Sequence, residues 1–417
     1  MFRSLLAVIC LFSLNAQLSA QDWPEFLGRG GTAKSSDVVP TVWSNSKNLI
    51  WKVELPGTGS SSPIVVGDKL IVTCYVASES EAKRQVLCFH KASGERLWSV
   101  DYPIDYGEDR FQGYITEHGY ASNTPVSDGK NVYVFLGKGG VHSITLEGKK
   151  LWSVDVGKES SNRQWGSAAS LILCQNSVLV NASEESQSII ALEKATGKKL
   201  WAQEAEMLEL TYGTPRIVNL DEGEREVVIS VPGEIWALNP TTGKLNWYCQ
   251  SPMTGNVCPS IIVDGQTIYS FGGYRASGSI AVKAGGTGDV TDSRVIWTNR
   301  SSSYVATPLL HNDRFYWIDD RGIAFCTSAT DGKVIYRKRV DNLASGRPVY
   351  ASPVLIGEHI YVVTPRSGTI VYKPGDSFQP IARNVLASDD SDFNASPAVS
   401  ENTLYLRSNK ALYCISK

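Results

Sequence analysis

The densest concentration of groups able to do chemistry is the run VDYPIDYGEDRFQGYITEHGY, from Val100 to Tyr120. It brings Asp105, Glu108, Asp109, Arg110, Glu117 and His118 into one stretch rich in glycine and aromatic residues. Carboxylates at such a loop are hard oxygen ligands of the kind calcium takes, or general bases. A run of acidic residues is also how a plain solvated loop is written. The sequence therefore nominates this stretch as a binding segment and assigns it neither a metal nor a catalytic residue.

A second set recurs at intervals along the chain. Tyr120, Trp165, Tyr212, Tyr304, Tyr350 and Phe393 each stand just ahead of a small-residue cluster and an apolar run, with Arg163, Arg300 and Arg347 close by. Aromatic faces with guanidinium groups suit an extended peptide or a small ligand, held by stacking and by bidentate hydrogen bonds to carboxylates. The same rings would serve equally to plug a channel.

Other chemistries find little support. There is no GxSxG elbow, and the five histidines (His90, His118, His142, His311, His359) fall mostly inside repeating strand patterns. No CxxC, CxxCH or HExxH spacing occurs, which leaves zinc and covalent haem without ligands. Cys88, Cys326 and Cys414 occupy the same place in three similar apolar runs, where a small buried hydrophobe is wanted. Cys249 and Cys258 flank a short connection and are candidates for a bridge that spacing alone does not decide. Forty basic residues stand against 42 acidic ones, a balance that argues against a nucleic-acid partner.

The first twenty residues, MFRSLLAVICLFSLNAQLSA, pair one early positive charge with an apolar run and a small residue before Gln21, as a secretory signal does. Later segments lack the roughly 20 apolar residues of a membrane span. The expectation is an exported protein, soluble and monomeric in the periplasm or outside the cell.

What must position these groups is a repeat. The phrase YASPVLIGEHIYVV (Tyr350 to Val363) returns with its proline at Pro63, Pro125, Pro215, Pro259, Pro308, Pro353 and Pro397, and GSAASLIL places Ser170 in that role. The period is about 45 residues, and the longest interval is the one that contains Val100 to Tyr120. A second phrase interleaves with the first: IIALEKATGKKLW and IWALNPTTGKLNW end in Trp201 and Trp247, with counterparts at Trp98, Trp152, Trp297 and Tyr336. Each phrase reads as strand, Gly-bearing turn, strand. Together they give four short strands per unit, eight units, and an all-β, eight-bladed β-propeller with four-stranded antiparallel blades. An extra closing phrase at the front, NLIWKV with Trp51, predicts that residues 49–53 complete the last blade beside Ala411 to Ser416. The chain divides into a signal peptide (1–20), an N-terminal strap (21–48) held by Trp23 and Trp43, and the propeller (49–417).

The pattern Ala-x-x-x-x-Thr-Gly-Lys-x-x-Trp, at Ala191 to Trp201 and Ala237 to Trp247, resembles the tryptophan-docking repeat of pyrroloquinoline quinone (PQQ) propellers. That family includes quinoprotein dehydrogenases and BamB-like, non-enzymatic envelope proteins. The opening WPEFLGRGG is similar to the start of planctomycete-type exported PQQ-repeat proteins. The resemblance implies that Trp51, Trp98, Trp152, Trp201, Trp247, Trp297 and Tyr336 dock on the Gly turn of a neighbouring blade. In the family's enzymes the quinone sits beside calcium with Glu, Asn and Asp ligands, an Asp base and often a disulfide of adjacent cysteines. Here no cysteines are adjacent, and no such ligand set can be matched. The sequence thus predicts a non-catalytic exported scaffold without cofactor, binding an envelope protein, an extended peptide or a small ligand at the central channel face. The alternatives are a PQQ- and calcium-dependent oxidoreductase of the alcohol or sugar dehydrogenase type, and a module recognising glycans or peptides.

Overall fold

The computed structural model describes residues 22–77 and 81–417; the signal peptide lies outside the described residues. Eight sheets form the ring. Blade 1 runs from Ile64 to Pro103, blade 2 from Val126 to Val154, blade 3 from Ile172 to Glu204 and blade 4 from Arg216 to Gln250. Blade 5 spans Ile262 to Asn299, blade 6 Leu309 to Arg339 and blade 7 Val354 to Asn384. Blade 8 takes three strands from Ala398 to Ile415 and its outermost strand from Leu49–Glu54. That splice is antiparallel, with Leu49 opposite Ile415 and Glu54 opposite Ala411, so both ends of the ring are locked into one hydrogen-bonded sheet, as the extra Trp51 phrase predicts.

Burial tracks the wedge shape. Innermost strands such as Ile64–Val66 and Val354–Ile356 are buried throughout, whereas outermost strands are mostly exposed or half-buried, with single buried positions such as Val100 and Trp247. In every blade the outermost strand slips register just before the docking position. A bulge of this kind adds local twist and redirects a side chain. The indole is thereby turned inward, and the residue before it is left exposed, as with Leu97, Leu151, Leu200 and Ile296.

Five tryptophans tie blade to blade in one way. Trp51, Trp98, Trp152, Trp201 and Trp297 each donate the indole N–H to a carbonyl in the next blade's turn, those of Lys91, Leu146, Lys194, Pro240 and Ala329, at 2.9 to 3.2 Å. Beside those carbonyls stand Gly94, Gly148, Gly197, Gly243 and Gly332, all at positive φ, where any side chain would collide with the indole. Two seams differ. The turn facing Trp247 is lengthened by Ala284–Arg294, so the Glu226 carboxylate replaces the turn carbonyl, accepting from Trp247 at 2.9 Å and from the Gly285 amide at 3.1 Å. Part of that insertion, Gly288–Asp289, lies parallel to Trp247 and Tyr248 as a fifth strand of blade 4. At the seam between blades 6 and 7, Tyr336 stands in place of tryptophan and its buried hydroxyl has no partner.

The inner strands correct two details of the repeat. The residue that recurs at the top of each inner strand is a hydroxyl: Ser62, Thr124, Ser170, Thr214, Ser260, Thr307, Ser352 and Ser396. From blade to blade the backbone N–H of one donates to the hydroxyl of the next, at 2.9 to 3.2 Å, through seven successive bonds. In this register Ser170 holds the hydroxyl position rather than the proline position, which falls to Leu171. Pro259 lies one residue before the hydroxyl, and Ile261 takes the proline's place. At the seam of blades 8 and 1 the fully buried Arg407 joins the blades instead, donating to the Ser61 and Thr73 carbonyls at 2.9 and 2.6 Å.

All seven cysteines of the described residues are free thiols, Cys249 and Cys258 included, and six are buried. Burial pushes the Cys88, Cys249 and Cys414 thiols up to about 12, as suits packing groups, and the half-buried Cys258 is likewise pushed up to about 12.

Candidate functional site at the hub

Two segments outside the blade pattern give the channel a bottom and a top. The strap pairs with inner strands from below. Trp23 and Val65 exchange backbone hydrogen bonds at 2.9 Å, the Ser127 amide donates to the Pro24 carbonyl, and Lys34–Ser35 runs parallel to Leu355–Ile356. Arg216, buried in blade 4, donates to the Phe26 carbonyl at 3.1 Å and lies 3.6 Å from Glu25. Burial is the main influence on the Glu25 carboxyl and pushes it up, against the pull of Arg216. The strap then passes Trp43, which is buried, stacked on Tyr361 at 6.2 Å and bonded through its amide to Asn384.

The long loop before blade 2 covers the other end. Glu108 and Asp109 turn inward beneath it: Arg84 pairs with Glu108 at 2.6 Å and Lys138 with Asp109 at 2.8 Å, and all four side chains are largely buried. The Tyr120 carbonyl accepts from Arg84 and the Tyr120 hydroxyl donates to the Asp109 carbonyl at 2.5 Å. These carboxylates anchor the loop. Asp105 and Arg110 point to solvent. The loop's far side reaches across the ring, where Asn394 donates to the Glu117 carbonyl at 2.5 Å.

Between floor and lid lies a well of about 160 Å³. Phe26 lies at the strap end, the eight hydroxyls ring it, and Trp165, Tyr212, Tyr304 and Tyr350 form its walls. Tyr114, from the lid, meets Trp165 edge-on at 4.5 Å and Tyr304 at 5.9 Å. The Arg347 guanidinium is sandwiched over Tyr114 and Tyr304, 4.7 and 4.8 Å from the ring centres, and is 3.6 Å from Asp320. Such contacts hold a cation without fully neutralising it. Arg163 stacks on Trp165 at 5.7 Å. His118 lines the well, 2.6 Å from the Ser122 hydroxyl, and loss of hydration holds its imidazole down to about 4.

The residues nominated from the sequence thus divide. Trp165, Tyr212, Tyr304, Tyr350, Glu117 and His118 line the well, and Arg163 and Arg347 stack on its rings. Tyr120 lies outside, packed on Tyr75 and Phe111 under the lid. Phe393 packs on Tyr413 in a separate groove between blades 7 and 8. Arg300 is exposed and lines none of these cavities. The reason is register: a residue ahead of the hydroxyl reaches the axis only if the connection climbs the hub wall there, and the connections differ in length. Sequence reasoning passed over Tyr114, Phe26 and the hydroxyl ring, although a Ser or Thr directly before six of the prolines was a visible signal. It also passed over Glu184 and Glu185. Both are buried beneath the lid anchor, and burial pushes them up to about 7 and about 8. Ser161 donates to Glu184 at 2.6 Å, and one oxygen of each carboxyl has no partner.

A quinone with calcium, as held by part of this fold, would ask for several carboxylate or amide oxygens converging in the well. The described lining offers Glu117 as its one carboxylate, with Asn394 as its one amide. Asp109 is committed to Lys138 below. The donor set does not fit that pair.

A family model described as outer membrane protein assembly factor BamB matches residues 32–162, 82–338 and 188–417. The BamB assembly factor of Burkholderia pseudomallei is 24% identical over 82% of this chain and 93% of its own. Among solved structures, BamB from Moraxella catarrhalis superposes with a TM-score of 0.61 at 16% identity, covering 88% of this chain and 99% of that one. A europium-containing methanol dehydrogenase superposes with a TM-score of 0.62 at 11% identity, covering 95% and 98%. At these identities the two structures establish a shared fold. Among the described residues no helix is long and apolar enough to cross a membrane.

Proposed function

This chain belongs to the outer membrane protein assembly factor BamB family, and on that premise we propose that it is a non-catalytic scaffold of the cell envelope that receives a protein partner at its lidded hub face. The observation that carries this reading is the hub itself: a well closed below by a hydrogen-bonded strap and walled with aromatic rings, two of which, Tyr114 and Tyr304, sandwich the Arg347 guanidinium. Amphipathic rings and arginine are the residues on which protein contacts concentrate their energy. A shared fold also hosts enzymes, so the site has to bear the functional argument. The well's poverty in carboxylates weighs against a calcium-bound quinone and supports a binding role.

The test is site-specific photocross-linking in envelope-bearing cells, with the photoreactive residue placed at Glu117 or, as a control, at Leu151 on the outer rim. The expected result is one discrete protein adduct from Glu117 and none from Leu151. In parallel, purified protein is incubated with PQQ, calcium and primary alcohols. A stoichiometric complex that reduces an artificial dye would overturn the proposal in favour of a quinoprotein oxidoreductase.

A further inference from the structure

The seam between blades 6 and 7 breaks the repeat in three ways at once. Tyr336 stands where six of the other blades carry tryptophan, and Gly375 in the facing turn of blade 7, Lys373 to Gln379, lies away from the ring with nothing within 4 Å of its Cβ position. Between the two blades an open groove of about 350 Å³ is lined by Lys338–Asn342 from one side and by Phe378, Pro380 and Arg383 from the other. The third departure is charge. Blade 6's outermost strand, Val334–Arg339, ends in Arg337, Lys338 and Arg339, all exposed, and Arg383 stands exposed across the groove. No other outermost strand carries three consecutive cations. Among the described residues none of these four makes an ion pair. Arg339 and Arg383 donate to the backbone carbonyls of Arg321, Asn342 and Asp341, and Arg337 lies over Phe325. The outer edge of this strand is free of any sheet neighbour.

The molecule already shows what such an edge accepts. On blade 4 the corresponding edge is covered by a fifth strand, Gly288–Asp289, which brings an acidic residue beside Tyr248. Unpaired backbone groups at a sheet edge are a template for an added strand, and side-chain charge selects which strand. Three cations in a row repel a second copy of this edge and favour a carboxylate-rich chain.

We propose that the outer edge of blade 6, with the groove against blade 7, is a docking site for an extended acidic segment of another protein, added to Val334–Arg339 as a fifth strand and held by Arg337, Lys338, Arg339 and Arg383. The site is remote from the hub and independent of the function assigned to it. The probe is a fluorescein-labelled peptide alternating Glu with Val and Thr, titrated with the full chain and read by anisotropy. Two companions are a variant of that peptide with proline replacing a central Val and vesicles of phosphatidylglycerol. Saturable binding is expected that weakens as salt rises. Arg337→Glu/Lys338→Glu should weaken it at least about ten-fold with an unchanged melting temperature, and Arg337→Gln/Lys338→Gln should fall between. The proline variant should bind at least about ten-fold more weakly, because it lacks a ladder N–H. Equal binding by the charge-reversed protein, equal binding of the proline variant, or capture of vesicles in place of the peptide would each overturn the proposal.

Discussion

The strap and the lid cover opposite ends of one channel, and they are held in different ways. Backbone ladders to Val65 and to Leu355–Ile356, with Trp23 and Trp43 buried, hold the strap. The lid is held by side chains: two buried ion pairs, the Tyr120 contacts, the buried Ile115, Tyr114 against Trp165 and one amide from Asn394. A ladder with buried indoles comes apart only when the blades do. A loop held by side chains can open with the scaffold intact, since local opening is cheapest where no backbone ladder resists it. One end of the channel is therefore built into the fold and the other is closed by a side-chain-anchored loop. This difference is why the proposed binding role is placed at the lidded face.

The contrast is tested most severely at the strap. Trp43→Ala removes a buried indole stacked on Tyr361 and is expected to cost about 3–5 kcal/mol. In calorimetry that should lower the melting temperature by at least about 4 °C. A change within error would mean that the strap is as dispensable as the lid, and the comparison would collapse.

Breaking the lid anchor should give a smaller global effect and a larger local one. Glu108→Gln leaves the Arg84 guanidinium buried without its counter-charge, a local penalty of about 3–5 kcal/mol that lid opening can relieve. Trypsin should then cut after the exposed Arg110 about ten-fold faster or more, while the melting temperature falls by less than in Trp43→Ala. Unchanged cleavage would show that the ion pairs do not hold the lid down.

How far these regions were legible in the sequence follows from what repeats. Eight copies of one phrase and a spare Trp51 phrase make the blade count and ring closure readable, because each unit needs the same wedge. The strap is only half readable. Trp23 and Trp43 announce buried contacts, but the crossing beneath the channel depends on Arg216 and Leu355, which lie far away in sequence. The lid is visible as surplus length, yet the inward turn of Glu108 and Asp109 is not, since Arg84 and Lys138 sit in unremarkable blade positions. The hub wall shows the same limit: Tyr114 belongs to no repeat, and Tyr120 and Phe393 share a place in the repeat with Tyr212 and Tyr350 without sharing their position in space.

Buried carboxyls couple both ends to acidity, Glu25 in the strap and Glu184 and Glu185 under the lid, and the lid pair gives the test. Burial raises Glu184 to about 7 and Glu185 to about 8 beneath the lid anchor, above an unfolded value near 4.5. The folded state therefore holds extra protons between those limits, and stability falls as pH rises through about 7 to 8. In Glu184→Gln/Glu185→Gln this loss should vanish. The variant should melt a few °C above the parent at about pH 8.5 and together with it at about pH 5. His118 acts in the opposite sense. Its imidazole, held down to about 4, adds stability as pH climbs from there towards about 6.5, and it cancels in the difference between variant and parent. Parallel curves for the two proteins would show that the buried carboxyls are not coupled to folding.

The smallest change in stability is expected where the lid meets the well. Tyr114→Ala deletes a half-buried ring that touches Trp165 and Tyr304 but leaves Arg347 its second aromatic face and Asp320. A side chain outside the blade core should shift the melting temperature by no more than about 1 °C. Its loss uncovers Trp165, so iodide should quench the intrinsic fluorescence more strongly, and the photocross-link from Glu117 should weaken if the ring is part of the partner's seat. Should Tyr114→Ala instead destabilise as much as Trp43→Ala, the ring would be a plug built into the fold, and the lidded end would be as permanent as the strapped one.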